Sequence, residues 1–392
     1  MRLHRVLAEG SEAFLREVFE QGRVLDRVVA EGFRAQPRWG KRDRSFVAES
    51  VWEVVRWRRA LAFVAGSDDP RALLAAEWSG RGIELPDWWT WKGEAVGDME
   101  LRRGQIAAQP RAVRESVPDW LDLLGRSELE EAWDAELRAL NRRAPVFLRA
   151  NRLMADRDEV LAWLSGEGVP ARPVEGLPDA IELESVLPRR LADDGRIEIQ
   201  DAGSQVVAPL LEVAPGMRVV DACAGGGGKT LHLAALMEGR GELLALDVSR
   251  RKLEALKRRA GRAGVRNVRA EPWQDDTLRR RAGWADRVLI DAPCSGLGTL
   301  RRQPDLKWRL SAGSLEKTRR LQRRLLDHYR ELLKPGGRLV YATCSVLPSE
   351  NQGQVAALLE RDPRWEVEEE RVVLPAASGW DGFYAVRLAS RR

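Results

Sequence analysis

From about Gly195 onward the chain alternates short apolar runs with helix-forming stretches. A glycine-rich turn, Asp221-Ala-Cys-Ala-Gly-Gly-Gly-Gly-Lys-Thr230, separates the first run from the first helix. Strands are expected over 217–222, 242–248, 267–271, 286–291 and 338–344, with helices near 229–238, 249–263, 311–333 and 349–361. Ser249 is a natural N-cap, Ser349-Glu-Asn-Gln352 has capping-box spacing, and Lys334-Pro-Gly-Gly337 is a stop signal for the long helix. Strands connected through helices pair in parallel. The pattern therefore predicts a doubly wound, Rossmann-like α/β sheet whose ligands lie at the carboxyl ends of the strands.

The 392 residues leave room for two further modules before that sheet. In 1–115, Phe14, Val18, Leu25, Val28 and Val29, then Phe46, Val51, Val54 and Val55, recur at helical spacing. Trp52, Trp57, Trp78, Trp88, Trp89 and Trp91 crowd the same region, a pattern that fits a small helical core better than a base-stacking surface. In 116–194 a helix is expected from Pro118 to about Asn141, a strand over 146–151, a helix capped by Asp156 and running to Leu164, and a strand over 180–183. This reads as a small α+β module, followed by a catalytic domain over 195–392.

Composition excludes several function classes. The three cysteines, Cys223, Cys294 and Cys344, form no C-x-x-C pair, which argues against disulfides and structural zinc and fits a reducing cytoplasm. His4, His232 and His328 lack ligand spacing, which argues against a histidine metal site or a Ser/His/Asp triad. No signal-type segment opens the chain, and no apolar run approaches the roughly 18 residues of a membrane span. Net charge is +5 and the pI is about 9.3, with arginine runs at Lys257-Arg-Arg259, Arg279-Arg-Arg281, Arg301-Arg302 and Arg319-Arg320. Such runs suit phosphate and hence nucleic acid, although solvated helix faces look the same.

The glycine turn admits two ligand classes. A phosphate-binding G-x-x-x-x-G-K-T loop would place its first glycine where this chain has Cys223, so a nucleoside triphosphate fits poorly. Glycine instead allows the main chain to approach a ligand, and the helix amides beyond it favour a carboxylate or other anion. Asp247, ending the second strand about 20 residues on, is placed to accept both hydroxyls of a ribose. Glycine turn and acid together suit a dinucleotide and S-adenosylmethionine equally. Glu271, or Asp275, could receive an adenine amino group at the third strand.

The cysteines narrow the choice. Cys294 lies in Asp291-Ala-Pro-Cys-Ser-Gly296 and Cys344 in Tyr341-Ala-Thr-Cys-Ser345, each at the end of an expected strand. C5 of a pyrimidine is a poor nucleophile until a thiolate adds at C6 and turns C5 into an enamine carbon. That route needs an exposed thiolate and a neighbouring group to manage the proton, for which Asp291 is suited at the N3 and N4 edge of the base. A single buried cysteine would be inert packing; two at neighbouring strand ends, one behind Asp-Ala-Pro, point to chemistry.

These residues resemble the RsmB/Nop/Sun family of S-adenosylmethionine-dependent RNA cytosine-5 methyltransferases, bacterial rRNA type. The resemblance runs through Ile199-Gln-Asp-Ala-Gly-Ser-Gln205, the glycine turn, Asp247, Asp291 to Gly296, Arg301-Arg-Gln-Pro-Asp-Leu-Lys-Trp308, Tyr341 to Ser345, Glu350-Asn351 and Asp381-Gly-Phe-Tyr384. Pro145-Val-Phe-Leu-Arg-Ala-Asn-Arg152 is similar to the family's pre-catalytic module, and the first helices to a degenerate NusB-like domain. The resemblance implies a class I methyltransferase domain with Cys344 as nucleophile, Cys294 assisting release of the product and Asp291 on the base edge. Cys223, Ala224, Gly225, Gly226, Gly227, Gly228 and Lys229 would wrap the cofactor, with Asp247 on its ribose. DNA cytosine-5 methyltransferases share the pattern but use the Pro-Cys thiol, which keeps Cys294 open as nucleophile. Ribosomal RNA of the 16S type is the expected partner and tRNA the other candidate, for a monomer acting without metal. The family's usual proline is replaced by Gly226, implying a looser loop. That departure, with the arginine content, also fits a disabled fold serving as an RNA-binding assembly factor.

Overall fold

The computed structural model describes residues 3–274 and 276–390. Contacts divide them into two units, one running to Arg142 and taking in Leu300–Ala312, the other comprising Arg143–Thr299 and the stretch from Gly313 onward.

The first unit is helical. Arg5–Phe19, Leu25–Ala35, Lys41–Arg56, Arg58–Ala65 and Pro70–Gly80 turn their apolar faces onto one core. The tryptophans belong to it as structural residues: Trp78 and Trp89 are fully buried, and Trp78 Nε1 donates to Ser50 Oγ at 2.8 Å. The single helix expected from Pro118 to Asn141 is instead two, Asp119–Leu129 and Ala132–Leu140, because Glu130 takes a left-handed φ of 49° that no continuous helix accommodates. The Leu300–Ala312 segment threads into the same core. Lys307, fully buried, donates to Arg56 O at 2.7 Å and Asn141 Oδ1 at 3.1 Å, while Trp308 Nε1 donates to Val55 O. Burial, and then the charge of Arg56, hold the Lys307 amine well below its ordinary pKa.

The second unit holds two sheets. Strands β1 (Val146–Ala150), β2 (Ala171–Pro173), β3 (Ala180–Leu183) and β4 (Ile197–Ile199) make an antiparallel sheet in the order β2-β3-β1-β4. Asp156 caps the helix Arg157–Gly166 over it through a reciprocal capping box with Glu159. The larger sheet comprises β5 (Arg218–Asp221), β6 (Glu242–Asp247), β7 (Val268–Pro272), β8 (Ala285–Asp291), β9 (Leu333–Thr343), β10 (Trp365–Val373) and β11 (Phe383–Ser390). Its order is β10-β11-β9-β8-β5-β6-β7. Five strands from β9 to β7 are parallel, and β11 and β10 close the edge antiparallel. Alternate residues feed opposite cores: Val219, Leu243, Leu289 and Val340 face one layer, Val220, Leu244, Val288 and Leu339 the other. The chain steps outward from β5 to β7, then returns to β8 on the other flank of β5. The switch in strand order, where such sheets bind ligands, thus lies between β5 and β8.

Three local expectations need correction. The long helix is Ala312–Tyr329, and Lys334–Gly337 lies inside β9 beyond a short 3-10 turn, at an irregularity in the β8–β9 register. Ser349 is not the N-cap residue: Pro348–Glu350 is a 3-10 turn, and the helix Gln352–Arg361 starts after Asn351. The β10–β11 hairpin was not anticipated.

Candidate active site

The cofactor end begins at Asp221, the last residue of β5, which is fully buried and accepts from Thr230 Oγ1 at 2.6 Å. Burial pushes its carboxyl up to about 7. The turn beyond needs glycine at two points. Gly225 has φ +55° with nothing within 4 Å of where a Cβ would stand; Gly227 has φ +90°, and a Cβ there would lie 2.6 Å from Leu256 Cγ. The first leaves open space for a ligand against bare main chain, and the second seats the turn on the helix Arg250–Arg262. Gly228 opens the helix Gly228–Leu236. Ala224 is buried and Cys223 half-buried, its thiol raised by burial and three nearby carboxylates.

Asp247, at the tip of β6, accepts the Gly225 N–H at 2.9 Å and the Ser249 N–H at 2.7 Å. It remains slightly exposed, and a carboxylate with two amides bound keeps lone pairs for two hydroxyls. Gly226 is tied down by another route than proline: Arg259 donates to its carbonyl at 2.7 Å and pairs with buried Glu198. Glu271 lies opposite Leu246 near the end of β7, half-buried and paired with Arg269 at 2.9 Å. Asp275 lies outside the described residues. An open glycine cradle, a helix start and a strand-end carboxylate together suit a nucleoside cofactor bearing an amino acid group.

The thiol end sits beside it. Pairing of β8 with β9 sets Asp291 opposite Ala342, so the loops that follow run together. Cys294 Sγ and Cys344 Sγ stand 3.3 Å apart, both half-buried. Either sulfur can be the donor between them, and that hydrogen bond, and then burial, hold the Cys294 thiol well above its ordinary pKa. Asp291 Oδ2 receives Lys229 Nζ at 2.7 Å. Burial opposes the Lys229 ammonium, but the charge and hydrogen bond of Asp291, aided by Cys344, outweigh it and raise the pKa. Lys229, expected on the cofactor side, thus has its ammonium on Asp291. Among the described residues no cluster of histidine, cysteine or carboxylate side chains could hold a metal ion, and no helix is long and apolar enough to cross a membrane.

The sequence assigns no role to Asp221 within the glycine turn or to Gln322, shows Arg259 only as part of an arginine run, and shows Glu350 and Asn351 only within an expected capping box and the resemblance. Their clue was the Glu-Asn pair closely following Thr-Cys-Ser.

A doubly wound sheet with a glycine turn after β5 and an acid at the tip of β6 marks a nucleoside-cofactor domain, and the family match makes it that of a class I, S-adenosylmethionine-dependent methyltransferase. Residues 208–389 match the family model for 16S rRNA methyltransferase RsmB/F, and residues 117–189 that of the RsmF/B-like ferredoxin-like domain. Ribosomal RNA small subunit methyltransferase B of Escherichia coli strain 536 is 35% identical over 340 residues, 82% of this chain and 78% of that one. Its Pseudomonas putida counterpart is 36% identical over 400 residues, 89% and 91% of the two chains. Among solved structures, PH0851 matches with a TM-score of 0.81 at 22% identity, over 99% of this chain and 100% of that one. A methyltransferase homologue from Pyrococcus horikoshii matches with 0.63 at 26% identity, over 71% and 97%. The chain belongs to the RsmB/F family of rRNA methyltransferases.

Proposed function

We propose that this protein methylates C5 of a cytosine in 16S-type ribosomal RNA through a transient bond between Cys344 and C6 of the base. The observation that carries the reading is the pair of sulfurs 3.3 Å apart at adjacent strand ends, beside the Lys229–Asp291 ion pair. Cysteine used only for packing has no need of a second thiol and a partly buried ion pair at its side.

Cys344, the sulfur that the family resemblance assigns as nucleophile, attacks as the thiolate, its proton lost to solvent, while the neighbouring Cys294 has its thiol pKa held up. The Cys344–C6 bond forms as N3 takes a proton through Asp291, resupplied by the Lys229 ammonium that Asp291 holds charged. C5 then carries the enamine electron pair. S-adenosylmethionine, held by Cys223 to Gly228 with Asp247 at the ribose and Glu271 or Asp275 at the adenine, supplies an electrophilic methyl group for that pair. Once the Cys344 sulfur is bonded to C6 as a thioether, its hydrogen bond with Cys294, the chief cause of that thiol's raised pKa, is weakened. Cys294 can then lose its proton to water and take the one on C5, the C6–S electrons return to Cys344, and N3 hands its proton back through Asp291 to Lys229. RNA bases must be unpaired or flipped for this attack, and the arginine-rich surface suits the backbone.

RNA bearing 5-fluorocytosine cannot complete the last step and should leave a covalent adduct with the wild-type protein. Cys344→Ala should give none, and Cys294→Ala should accumulate an adduct even on unmodified RNA. No adduct from wild type, or an undiminished one from Cys344→Ala, refutes the assignment. Equal trapping with tRNA and rRNA fragments would move the substrate towards tRNA.

A further inference from the structure

Each thiol is followed directly by a serine, and both serines end on one side chain. Glu350 is fully buried in the turn after β9. Its Oε1 accepts the Ser295 N–H at 2.8 Å and Gln322 Nε2 at 3.0 Å; its Oε2 accepts Ser345 Oγ at 2.6 Å and also Ser295 Oγ. Gln322, from the helix Ala312–Tyr329, donates to Pro293 O as well, at 3.0 Å. Asn351, the next residue, donates to Ser345 O at 3.0 Å and accepts from Thr343 Oγ1, bracketing Cys344 from both sides. Tyr341 Oη donates to Glu350 O at 2.7 Å.

We propose that Glu350 is a positioning residue: by gathering Ser295 and Ser345 on one carboxylate, it fixes the distance between Cys294 and Cys344. The inference rests on the thiol chemistry above and adds to it the part that sets the geometry. Past Asp291 and Thr343 the two loops have left the regular ladder of β8 and β9. Two main-chain links remain among the described residues, Ala292 N to Ala342 O at 2.8 Å and Gly298 N to Cys344 O at 2.9 Å, and they lie on either side of the thiols. Between them the loops meet directly only through side chains, Cys294 Sγ with Cys344 Sγ and Ser295 Oγ with Ser345 Oγ, each at 3.3 Å, and Glu350 is the carboxylate that gathers both serines. A buried carboxylate is costly unless its lone pairs are filled, and here four donors fill them, two from each oxygen's neighbourhood. An apolar residue of the same volume would pack without joining the loops. The charge also acts on the chemistry, adding to the effects that keep Cys294 protonated.

The test uses the full-length protein and Glu350→Gln, which keeps shape but gives the serine hydroxyls an amide in place of one carboxylate oxygen. Sulfur spacing is read directly, without RNA, as the rate at which diamide closes a Cys294–Cys344 disulfide, two thiols losing two electrons and two protons to the reagent. Closure should slow by about fivefold or more, and kcat should fall about tenfold to a hundredfold. Cofactor Kd should stay within about twofold, since nothing at Asp247 or Gly225 has changed. Closure at the wild-type rate overturns the proposal; so does a loss of kcat matched by an equal loss of cofactor binding. If Glu350→Gln does not fold, Ser295→Ala and Ser345→Ala each remove one hydroxyl from the brace, and wild-type closure in both overturns it equally. Absence of an RNA adduct from the wild type would instead remove the reading beneath, while the disulfide rates still report on the brace.

Discussion

Between the tips of β5 and β6 the surface offered to a ligand is main chain, shaped by two left-handed glycines and pinned by Asp247 and Arg259. Between the tips of β8 and β9 it is side chain: two sulfurs, a lysine and an aspartate, held from behind by a buried glutamate. The first end must fit a cofactor that is the same at every turnover, and main-chain shape suffices. On the chemistry proposed above, the second must hold reacting atoms in register and hand protons among them, a task for titratable side chains. A change at one end should therefore leave the other largely intact, and each prediction below tests that separation.

The largest effect is expected at the thiol end. Cys344→Ala should lower methyl transfer by about ten-thousandfold or more, with cofactor affinity by calorimetry unchanged within twofold or so. A matching loss of affinity would mean the two ends are one unit. At the cofactor end, Gly227→Ala places a Cβ at φ +90° against Leu256. Left-handed strain and overpacking together should cost about 2 to 5 kcal/mol of stability and raise cofactor Kd, while diamide closes the thiol pair at the normal rate. Gly225→Ala, with open space around its Cβ, should cost only the strain, about 1 to 2 kcal/mol.

A smaller effect is expected from Asp221. Its folded carboxyl is raised from 3.8 to about 7, so the folded state binds the extra proton and stability falls as pH rises through that window. Asp221→Asn should remove about 2 kcal/mol of this fall between pH 5.5 and 7, seen in denaturant midpoints across the range. An unchanged pH slope would show that the carboxyl is ionised in the folded protein. Smallest, Arg259→Leu frees the Gly226 carbonyl and leaves buried Glu198 without its partner. It should cost about 1 to 2 kcal/mol and weaken cofactor binding several-fold with kcat little altered.

The same contrast governs what could be read from the chain. A left-handed turn demands glycine, so the cofactor end announced itself in a run of adjacent letters. Strand-end cysteines were visible too, because β8 and β9 are apolar runs buried on both faces. The ion pair joining Lys229 to Asp291 spans 62 positions and the Ser295–Glu350 contact 55, and no local pattern encodes either. Lys229 was therefore given to the nearer motif. The β10–β11 hairpin escaped notice because β10, Trp-Glu-Val-Glu-Glu-Glu-Arg-Val-Val, pairs on one side only and carries the charges of an exposed edge. Ser349 imitated a cap because Gln352 stands three residues on, yet the helix begins only at Gln352, after Asn351.

The threading of Leu300–Ala312 through the helical unit has a consequence for dissecting the molecule. The chain passes between the units three times, after Arg142, after Thr299 and after Ala312. A fragment ending at Arg142 would lack the tryptophan and buried amine that fill its interior, and one starting at Arg143 would carry them as an orphaned stretch in mid-chain. Neither piece should behave as a self-sufficient domain, so a truncation that abolishes activity says nothing about whether the helices touch RNA. Point changes on their outer faces are the way to ask that question.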